Sequence, residues 1–184
     1  MDGSDPAIVF TEDGVCNHCL AYDRNEKLRQ EDMPNLSKHL VQIQKDGLGK
    51  NYDVLVGLSG GVDSSYCLHL AVQHGLRPLC FSVDNGYNDP KADENVMRLV
   101  EGLRVPFYRY VIDLKRFHEL QSAFIHSGTA NIEIPTDAVL AGATYDLARR
   151  YKMKWIRSGG NLATENTMPA SWGYQPSDLV FIKD

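Results

Sequence analysis

The sequence lacks the features that would direct a protein into or across a membrane. No apolar run approaches the roughly 18 residues that a membrane-spanning helix needs. The N-terminal stretch MDGSDPAIVF has neither a basic region nor a long apolar core, so we expect no secretory signal in it. We therefore expect a cytoplasmic protein without a membrane partner.

Positive charge and cysteine are also scarce. The chain has 19 Lys and Arg against 24 Asp and Glu, a net charge of −5, and no long basic block. This balance argues against an extended nucleic-acid surface, and we expect no nucleic-acid partner. In a cytoplasmic protein, the 4 cysteines are better interpreted as thiols or metal ligands than as disulfides. With 184 residues, 43% of them hydrophobic, the chain is long enough to bury a full core.

The most informative stretch is YDVLVGLSGGVDSSY, residues 52–66. Its apolar run has the length and Val content of a buried strand, and a helix is predicted after the glycines. The amides of Gly60, Gly61 and the first helical turn can converge on one anion, which the helix dipole also favours. We predict a phosphate-binding turn; the alternative is an ordinary glycine-rich turn between strand and helix.

The other residues of this turn indicate how phosphate groups would be held. The hydroxyls of Ser59, Ser64 and Ser65 can donate hydrogen bonds. Asp63 is unfavourable beside phosphate unless a cation lies between them, so we interpret it as a Mg²⁺ ligand, with first-turn capping as the alternative. No lysine follows the glycines, which excludes the GxxxxGK[ST] loop, and the spacing is not GxGxxG.

From residue 52 onward, apolar runs alternate with helical patterns. Strands are predicted at 53–58, 78–83, 106–112 and 154–157. Helices are predicted from the glycine turn to about residue 74, and at 90–103, 114–126 and 136–151. The last of these helices carries Ala, Leu and aromatic residues all round and is expected to be well buried. This alternation predicts an α/β fold, a doubly wound parallel sheet with helices on both faces. Ligands of such folds bind beyond the carboxyl ends of the strands, where loops 59–65, 84–89 and 158–165 fall.

The first 50 residues differ from this pattern. Residues 1–25 include a short apolar run, Ile8 to Phe10, that could form a strand, and the sequence Cys16-Asn17-His18-Cys19, half of a tetrahedral zinc site. No second CxxC follows, so either the other two ligands precede Met1 in a longer protein or the pair is metal-free; we favour the first hypothesis. Residues 26–50 are predicted to be a helical linker to a domain at 51–184, whose apolar end suggests that the natural protein continues.

Polar residues after the later strands extend the candidate site. Asp84 can bind ribose, adenine or Mg²⁺, although Asp-Asn-Gly is also a natural turn. Gly159 and Gly160 would let the backbone approach a nucleotide closely. The loop 127–137 is long enough to be functional, and Thr136 within it is interpreted as a helix cap. Polar groups that can face an acceptor substrate, or form only a solvated loop, are Asn161, Thr164, Glu165 and Asn166.

Several of these motifs together resemble a known family. SGGVDS is similar to the pyrophosphate loop of the PP-loop ATP pyrophosphatases, which have an adenine nucleotide alpha hydrolase-like fold and cleave ATP between its α- and β-phosphates. With CNHC, SVDNGYND, NIEIPTD and RSGGNLATENTMPASWGY, the chain resembles the N-acetyl sugar amidotransferases of bacterial surface polysaccharide (LPS O-antigen) and nonulosonic acid biosynthesis. The likeness covers residues 5–180, whereas family members are longer at the C-terminus and carry a further CxxC pair before the position of Met1.

The resemblance implies a reaction in two parts. ATP, with Mg²⁺, adenylates the oxygen of an acetamido group on a sugar and releases pyrophosphate; ammonia then displaces AMP and leaves an acetamidino group. A separate glutaminase would supply ammonia, because no cysteine here has the context of a glutaminase nucleophile. Zinc at Cys16 and Cys19 is also implied.

The motifs and the resemblance together assign the candidate site residues. Catalytic roles are predicted for Asp63 and Ser64, with Asp63 as the Mg²⁺ ligand. Contacts with ATP or pyrophosphate are predicted for Leu58, Ser59, Gly60, Gly61, Val62, Asp63, Ser64, Ser82, Val83, Asp84, Gly159 and Gly160. Contacts with the acceptor substrate are predicted for Asn85, Asp137, Asn161, Thr164 and Glu165.

Two other functions fit the same turn. A tRNA-thiolation enzyme shares the loop but usually needs a catalytic cysteine and a basic face, which this composition does not favour. A non-catalytic adenine nucleotide-binding module has a similar topology. A further hypothesis is that these 184 residues fold but are inactive, because the second Cys pair and the C-terminal extension are missing.

Overall fold

A computed structural model describes residues 2–129 and 131–160, together with Pro169 and Ser171. The chain forms two packing units, one of residues 1–38 and 161–184 and the other of residues 39–160. The three-part division predicted from the sequence stays a prediction. Among the described helices, none combines the length and the apolar character needed to cross a membrane.

The first unit contains a long helix that the sequence pattern did not predict. Helix α1 (Asn17–Asp32) is followed by a 3₁₀ turn (Met33–Asn35) that leads into helix α2 (Leu36–Asp46). α1 buries none of its residues, so it lacks the apolar stripe from which a helix is recognised. The strand expected near residue 9 is reduced to a single bridge between Phe10 and Cys16.

The second unit alternates strands and helices in the predicted order. Strand β1 (Val54–Gly57) is followed by helix α3 (Val62–Gln73), β2 (Pro78–Asp84), α4 (Pro90–Leu103), β3 (Phe107–Val111), α5 (Leu114–His126), α6 (Ile134–Arg150) and β4 (Trp155–Arg157). All strand pairs are parallel, in the order β3-β2-β1-β4. The predicted α/β fold is therefore confirmed, and β1 lies between β2 and the last strand of the described chain.

Apolar side chains cover both faces of this sheet. On one face, Val56 packs with Leu68 of α3 and Val96 of α4, and on the other Leu55 packs with Leu147 of α6. Because β1 is buried on both sides, it reads as an unbroken apolar run in the sequence. α6 buries Ala143, Leu147 and Ala148, whereas Tyr145 is 69% exposed, so this helix is less buried than its composition suggested.

An ion pair fixes the amino ends of β1 and β2. Asp53, with a side chain only 2% exposed, accepts hydrogen bonds from Arg77 Nη2 at 2.6 Å, Nε at 3.2 Å and the Arg77 backbone N–H at 2.8 Å. Arg77 also donates to the carbonyl oxygens of Gly47 and Lys50, both at 2.8 Å. Burial would raise the pKa of Asp53, but the hydrogen bonds and charge of Arg77 outweigh it and hold this pKa below its ordinary value.

Candidate functional site

The glycine turn lies at the carboxyl end of β1 and runs into α3. Gly60 has φ +80°, and a Cβ built there would lie 2.7 Å from the carbonyl carbon and 2.8 Å from the Cα of Ala92 on α4. Only glycine fits that position, because both the backbone angle and the space exclude a side chain. Gly61 precedes α3 and supplies no capping side chain, so the start of the helix stays open.

The amide groups of this turn fall into two sets. The N–H of Ser59 donates to Ser64 Oγ at 3.2 Å, and the N–H of Gly61 donates to Ser59 Oγ at 3.3 Å. The second set donates no hydrogen bond anywhere in the described chain: Gly60, Val62, Asp63 and Ser64. These free amides stand at the positive end of the α3 dipole, where an anion is favoured.

The serine hydroxyls of the turn hold it together. Ser64 Oγ lies 3.1 Å from Ser59 Oγ and donates to the carbonyl of Gly61 at 3.2 Å, and Ser65 Oγ donates to the same carbonyl at 2.7 Å. Ser64 is buried, so the structure gives its hydroxyl a role in shaping the turn. Asp63 is exposed in the first turn of α3, and its carboxylate has no partner among the described residues, so it does not act as a cap.

A cavity of about 230 Å³ opens beside the turn, at the carboxyl ends of β1 and β2. Its walls include Leu58 and Ser59 of the turn, Val96 of α4 and Val139 of α6. Ser82 of β2 also lines it; this residue is 6% exposed, and its Oγ has no hydrogen-bond partner in the part of the chain that is described. A buried hydroxyl without a partner is unfavourable, so a ligand that bonded to this atom would relieve that cost.

The predicted residues after β2 form a tight turn. Asp84 Oδ1 accepts from the N–H of Gly86 at 3.2 Å, and Asn85 Oδ1 accepts from the N–H of Tyr87 at 3.1 Å. Asp84 Oδ2 lies 4.0 Å from Arg109 Nη1. The structure thus shows the turn chemistry that was the alternative for Asp84, while Asn85 and Val83 line the cavity as a ligand contact requires.

A polar network behind this turn was missed by sequence reasoning. Asn88 Nδ2 donates to the carbonyl of Val83 at 3.1 Å and to Asp93 Oδ1 at 3.3 Å. Arg109 on β3 donates to Asp93 Oδ2 at 2.8 Å. The only local signal was the sequence Asn-Asp-Pro, in which Asp89 caps α4 by accepting from two backbone amides.

The loop after β4 reaches the turn, as predicted. A Cβ at Gly159 would lie 2.7 Å from both the N and the Cα of Ser64, so the two glycine-containing loops touch. The N–H of Gly160 donates to Ser158 Oγ at 3.1 Å. Lys154, at the amino end of β4, pairs with Asp46 at 3.0 Å. The predicted substrate contacts Asn161, Thr164 and Glu165 lie outside the described residues.

Helix α6 supplies the wall opposite the turn. It begins at Ile134, so Thr136 lies within its first turn and is not its cap, because the backbone turns into the helix two residues earlier than the sequence suggested. Thr136 lines the cavity, and Asp137 follows it. Partial burial, and then the charge of Glu133, raise the pKa of Asp137.

The cysteine pair of the first unit starts α1. Cys16 Sγ lies 3.6 Å from Cys19 Sγ, and a hydrogen bond from the Cys19 backbone N–H lowers the pKa of Cys16. His18, between them, lies 2.6 Å from Asp5 Oδ2, and Asp5 also accepts from Ser171 Oγ at 2.7 Å. No group of three His, Cys, Asp or Glu able to hold a metal occurs within the described ranges, so zinc gains no support here.

Comparisons with known proteins agree with this architecture. No family model matches the chain. Over 132 residues, 67% of this chain and 24% of that protein, it is 30% identical to the glutamine-hydrolyzing GMP synthase of Chlamydia caviae. A glutamine-dependent NAD⁺ synthetase of Acinetobacter baumannii, solved with ADP, matches with a TM-score of 0.54 at 19% identity, over 66% of this chain and 23% of that one. An NH₃-dependent NAD synthetase of Campylobacter jejuni matches with a TM-score of 0.51 at 17% identity, over 69% and 56%.

These matches confirm the fold. The parallel sheet with flanking helices is similar to the sheets of the two NAD synthetases, as the adenine nucleotide alpha hydrolase-like prediction requires. The chain spans about a quarter of the length of the GMP synthase and less than two thirds of each solved synthetase.

Proposed function

We propose that this protein is a PP-loop ATP pyrophosphatase that acts as an amidotransferase on an acetamido sugar. ATP adenylates the acetamido oxygen with release of pyrophosphate, and ammonia from a partner glutaminase displaces AMP. The similarity to a GMP synthase and the fold shared with NAD synthetases support an ATP-dependent amidotransferase. The sugar, and a cytoplasmic role in surface polysaccharide or nonulosonic acid biosynthesis, rest on the resemblance carried by SGGVDS in combination with CNHC, SVDNGYND, NIEIPTD and above all SGGNLATENTMP.

One observation carries the proposal: the cavity lined by Ser59 and Ser82, whose hydroxyl is unpartnered, adjoins the glycine turn, and the free amides of that turn follow Ser59 directly in the chain. A nucleotide has an anionic end, which free amides at a helix start favour, and a neutral base and ribose, which can meet both the apolar and the polar side chains that line the cavity. The carboxyl ends of parallel strands are where such folds bind nucleotides.

The residues of the turn supply what the first step requires. The amides of Gly60, Val62 and Ser64 are directed by the fold before any ligand arrives, so they can stabilise charge on the departing phosphates without reorganising. The exposed carboxylate of Asp63 would hold Mg²⁺ together with phosphate oxygens and water, and that ion would neutralise phosphate charge. Adenylation then turns a poor leaving group, the amide oxygen, into a good one.

Pyrophosphate release from Mg-ATP tests the proposal. We expect release that requires a diacetamido hexose, and formation of its amidino derivative, detected by mass spectrometry, only when ammonium is also present. Asp63→Asn should lower the rate of release by about 100-fold if it removes the metal ligand. Glutamine should replace ammonium only after the partner glutaminase is added.

Two results would contradict this function. Release that requires tRNA would identify a thiolation-type enzyme. ATP binding without release under any condition would identify a nucleotide-binding module. Zinc at Cys16 and Cys19 remains a separate part of the proposal, measured as metal content of the purified full-length protein.

Replacing Ser82 by alanine separates ligand binding from stability. The variant removes a buried hydroxyl that has no partner in the free protein, so we expect the free energy of unfolding to stay unchanged or rise by about 1 kcal/mol. ATP affinity should fall by about tenfold, because the ligand loses one hydrogen bond. Urea unfolding and calorimetric titration with Mg-ATP measure the two effects; a loss of stability with unchanged ATP affinity would contradict the ligand role of Ser82.

A further inference from the structure

We infer that Asn88 selects adenine over purines that carry oxygen at position 6, an inference that rests on the proposed function only in taking ATP as the ligand. Asn88 lines the same cavity as Ser82 and lies in the loop between β2 and α4. Neither its position nor its partners were evident from the sequence.

The two ends of the Asn88 amide are distinguished by its neighbours. Its Nδ2 contacts the carbonyl oxygen of Val83 at 3.1 Å and Asp93 Oδ1 at 3.3 Å. Both neighbours are acceptors only, so the NH₂ group must face them and the amide oxygen must point the other way. That oxygen accepts no hydrogen bond from any described residue, and Asn88 lines the cavity, so we take this oxygen as the group that meets a molecule bound there.

Asp93 and Arg109 keep the amide in this orientation. Asp93 lies in the first turn of α4, where the helix dipole favours its negative charge, and its other oxygen accepts from Arg109 Nη1 at 2.8 Å. With Asp93 held from both sides, rotation of the Asn88 amide would place its oxygen against a carboxylate and a carbonyl. Asp93 is therefore a positioning residue, and Asn88 is the residue that touches the base.

A fixed acceptor discriminates between purines by their 6-substituent. Adenine carries an exocyclic amine, which donates to an oxygen. Hypoxanthine, the base of ITP, and guanine carry a 6-oxo group, which would repel the amide oxygen of Asn88. An acceptor opposite an acceptor leaves both atoms without a hydrogen bond in the complex, and such mismatches discriminate between ligands. The hydroxyl of Ser82 on the same wall can donate as well as accept, so it does not supply this discrimination alone.

Titration of the full chain with three Mg-nucleotides tests the inference without turnover, because no sugar is present. The wild-type chain should bind ATP about tenfold more tightly than purine riboside triphosphate, which lacks the 6-amine, and ITP should bind more weakly than either. Asn88→Ala should lower ATP affinity to that of purine riboside triphosphate and leave the latter little changed. Asp93→Ala should reduce the preference for ATP over purine riboside triphosphate. Asn51→Ala, at an exposed position, should leave that preference unchanged.

The outcomes separate this inference from the amidotransferase proposal. Equal wild-type affinity for ATP and ITP would overturn the inference, even if Asn88→Ala fails to fold, and so would discrimination that survives in Asn88→Ala. If the protein prefers adenine but releases no pyrophosphate in the presence of the sugar, the inference about Asn88 is supported and the sugar reaction is contradicted. Absence of any nucleotide binding would overturn both.

Discussion

Replacing Gly60 by alanine should abolish measurable ATP binding and lower pyrophosphate release by at least about 100-fold. The new methyl group would lie 2.7 Å from the carbonyl carbon and 2.8 Å from the Cα of Ala92, and neither backbone atom can move without displacing α4. The angle φ +80° adds about 1–2 kcal/mol of strain for any L side chain. The turn must therefore rearrange, and the positions of its free amides change with it.

Two other glycines provide the comparison. A Cβ at Gly102, within α4, would meet nothing within 4 Å, so Gly102→Ala should keep activity and gain about 0.5–1 kcal/mol of stability. Gly61 has φ −81°, and a Cβ there would approach only Ser59 Oγ, at 3.4 Å, so Gly61→Ala should fold. Calorimetric titration and pyrophosphate release measure all three variants. Normal ATP binding by Gly60→Ala would show that this turn is not the phosphate site.

Replacing Asp53 by alanine should lower the free energy of unfolding by about 2–3 kcal/mol, because it removes a buried carboxylate that accepts three hydrogen bonds from Arg77, whose own side chain is 51% exposed and stays partly solvated. Arg77 joins the end of α2 to the starts of β1 and β2, so its displacement would loosen all three. Urea unfolding measures the change. Glu94→Gln, which breaks two exposed ion pairs on α4, with Lys91 and Arg98, is the control and should cost no more than about 1 kcal/mol. Similar losses in both variants would contradict the structural role of Asp53.

The same ion pair predicts how stability depends on pH. The folded protein holds the pKa of Asp53 below its ordinary value, so the unfolded chain binds the proton more readily. The stabilisation is fully present above the ordinary aspartate pKa of about 3.9 and is lost as pH falls through the lower, folded value. Wild-type protein should therefore lose stability below about pH 4 more steeply than Asp53→Asn. Equal slopes in the two proteins, measured by urea unfolding at several pH values, would contradict this assignment.

The sheet could be predicted because its strands are buried on both faces. Val54 to Gly57 and Pro78 to Asp84 form apolar runs that end in glycine or Asp-Asn-Gly, and the observed strands agree with the predicted ones within about two residues. Helix α1 could not be predicted in this way. It buries no residue, so its sequence lacks the apolar stripe by which a packed helix is recognised. The Ala-rich pattern of α6 hid which side is buried, and the structure shows Ala143 and Leu147 inside with Tyr145 outside.

The candidate site divides in the same way. Gly60 and Asp63 belong to a local motif, so the turn was visible in the sequence. Asn88, Asp93 and Arg109 belong to a loop, a helix and a neighbouring strand, and each has an ordinary local explanation as a turn, first-turn or strand residue. Their network exists only once β2 and β3 are paired. The buried hydroxyl of Ser82 likewise becomes informative only when its lack of a partner is known.

The strand order has a consequence for how this protein is assembled. β1 acquires one neighbour from β2 soon after synthesis, but its other edge stays unpaired until residues 155–157 have been made. Pairings between distant segments form slowly, because a long loop must close first. During translation, the nascent chain therefore exposes the unpaired backbone edge of β1 that later bonds to β4. The glycine turn is completed by Gly159 only when that gap closes, so this turn takes its final form late in folding.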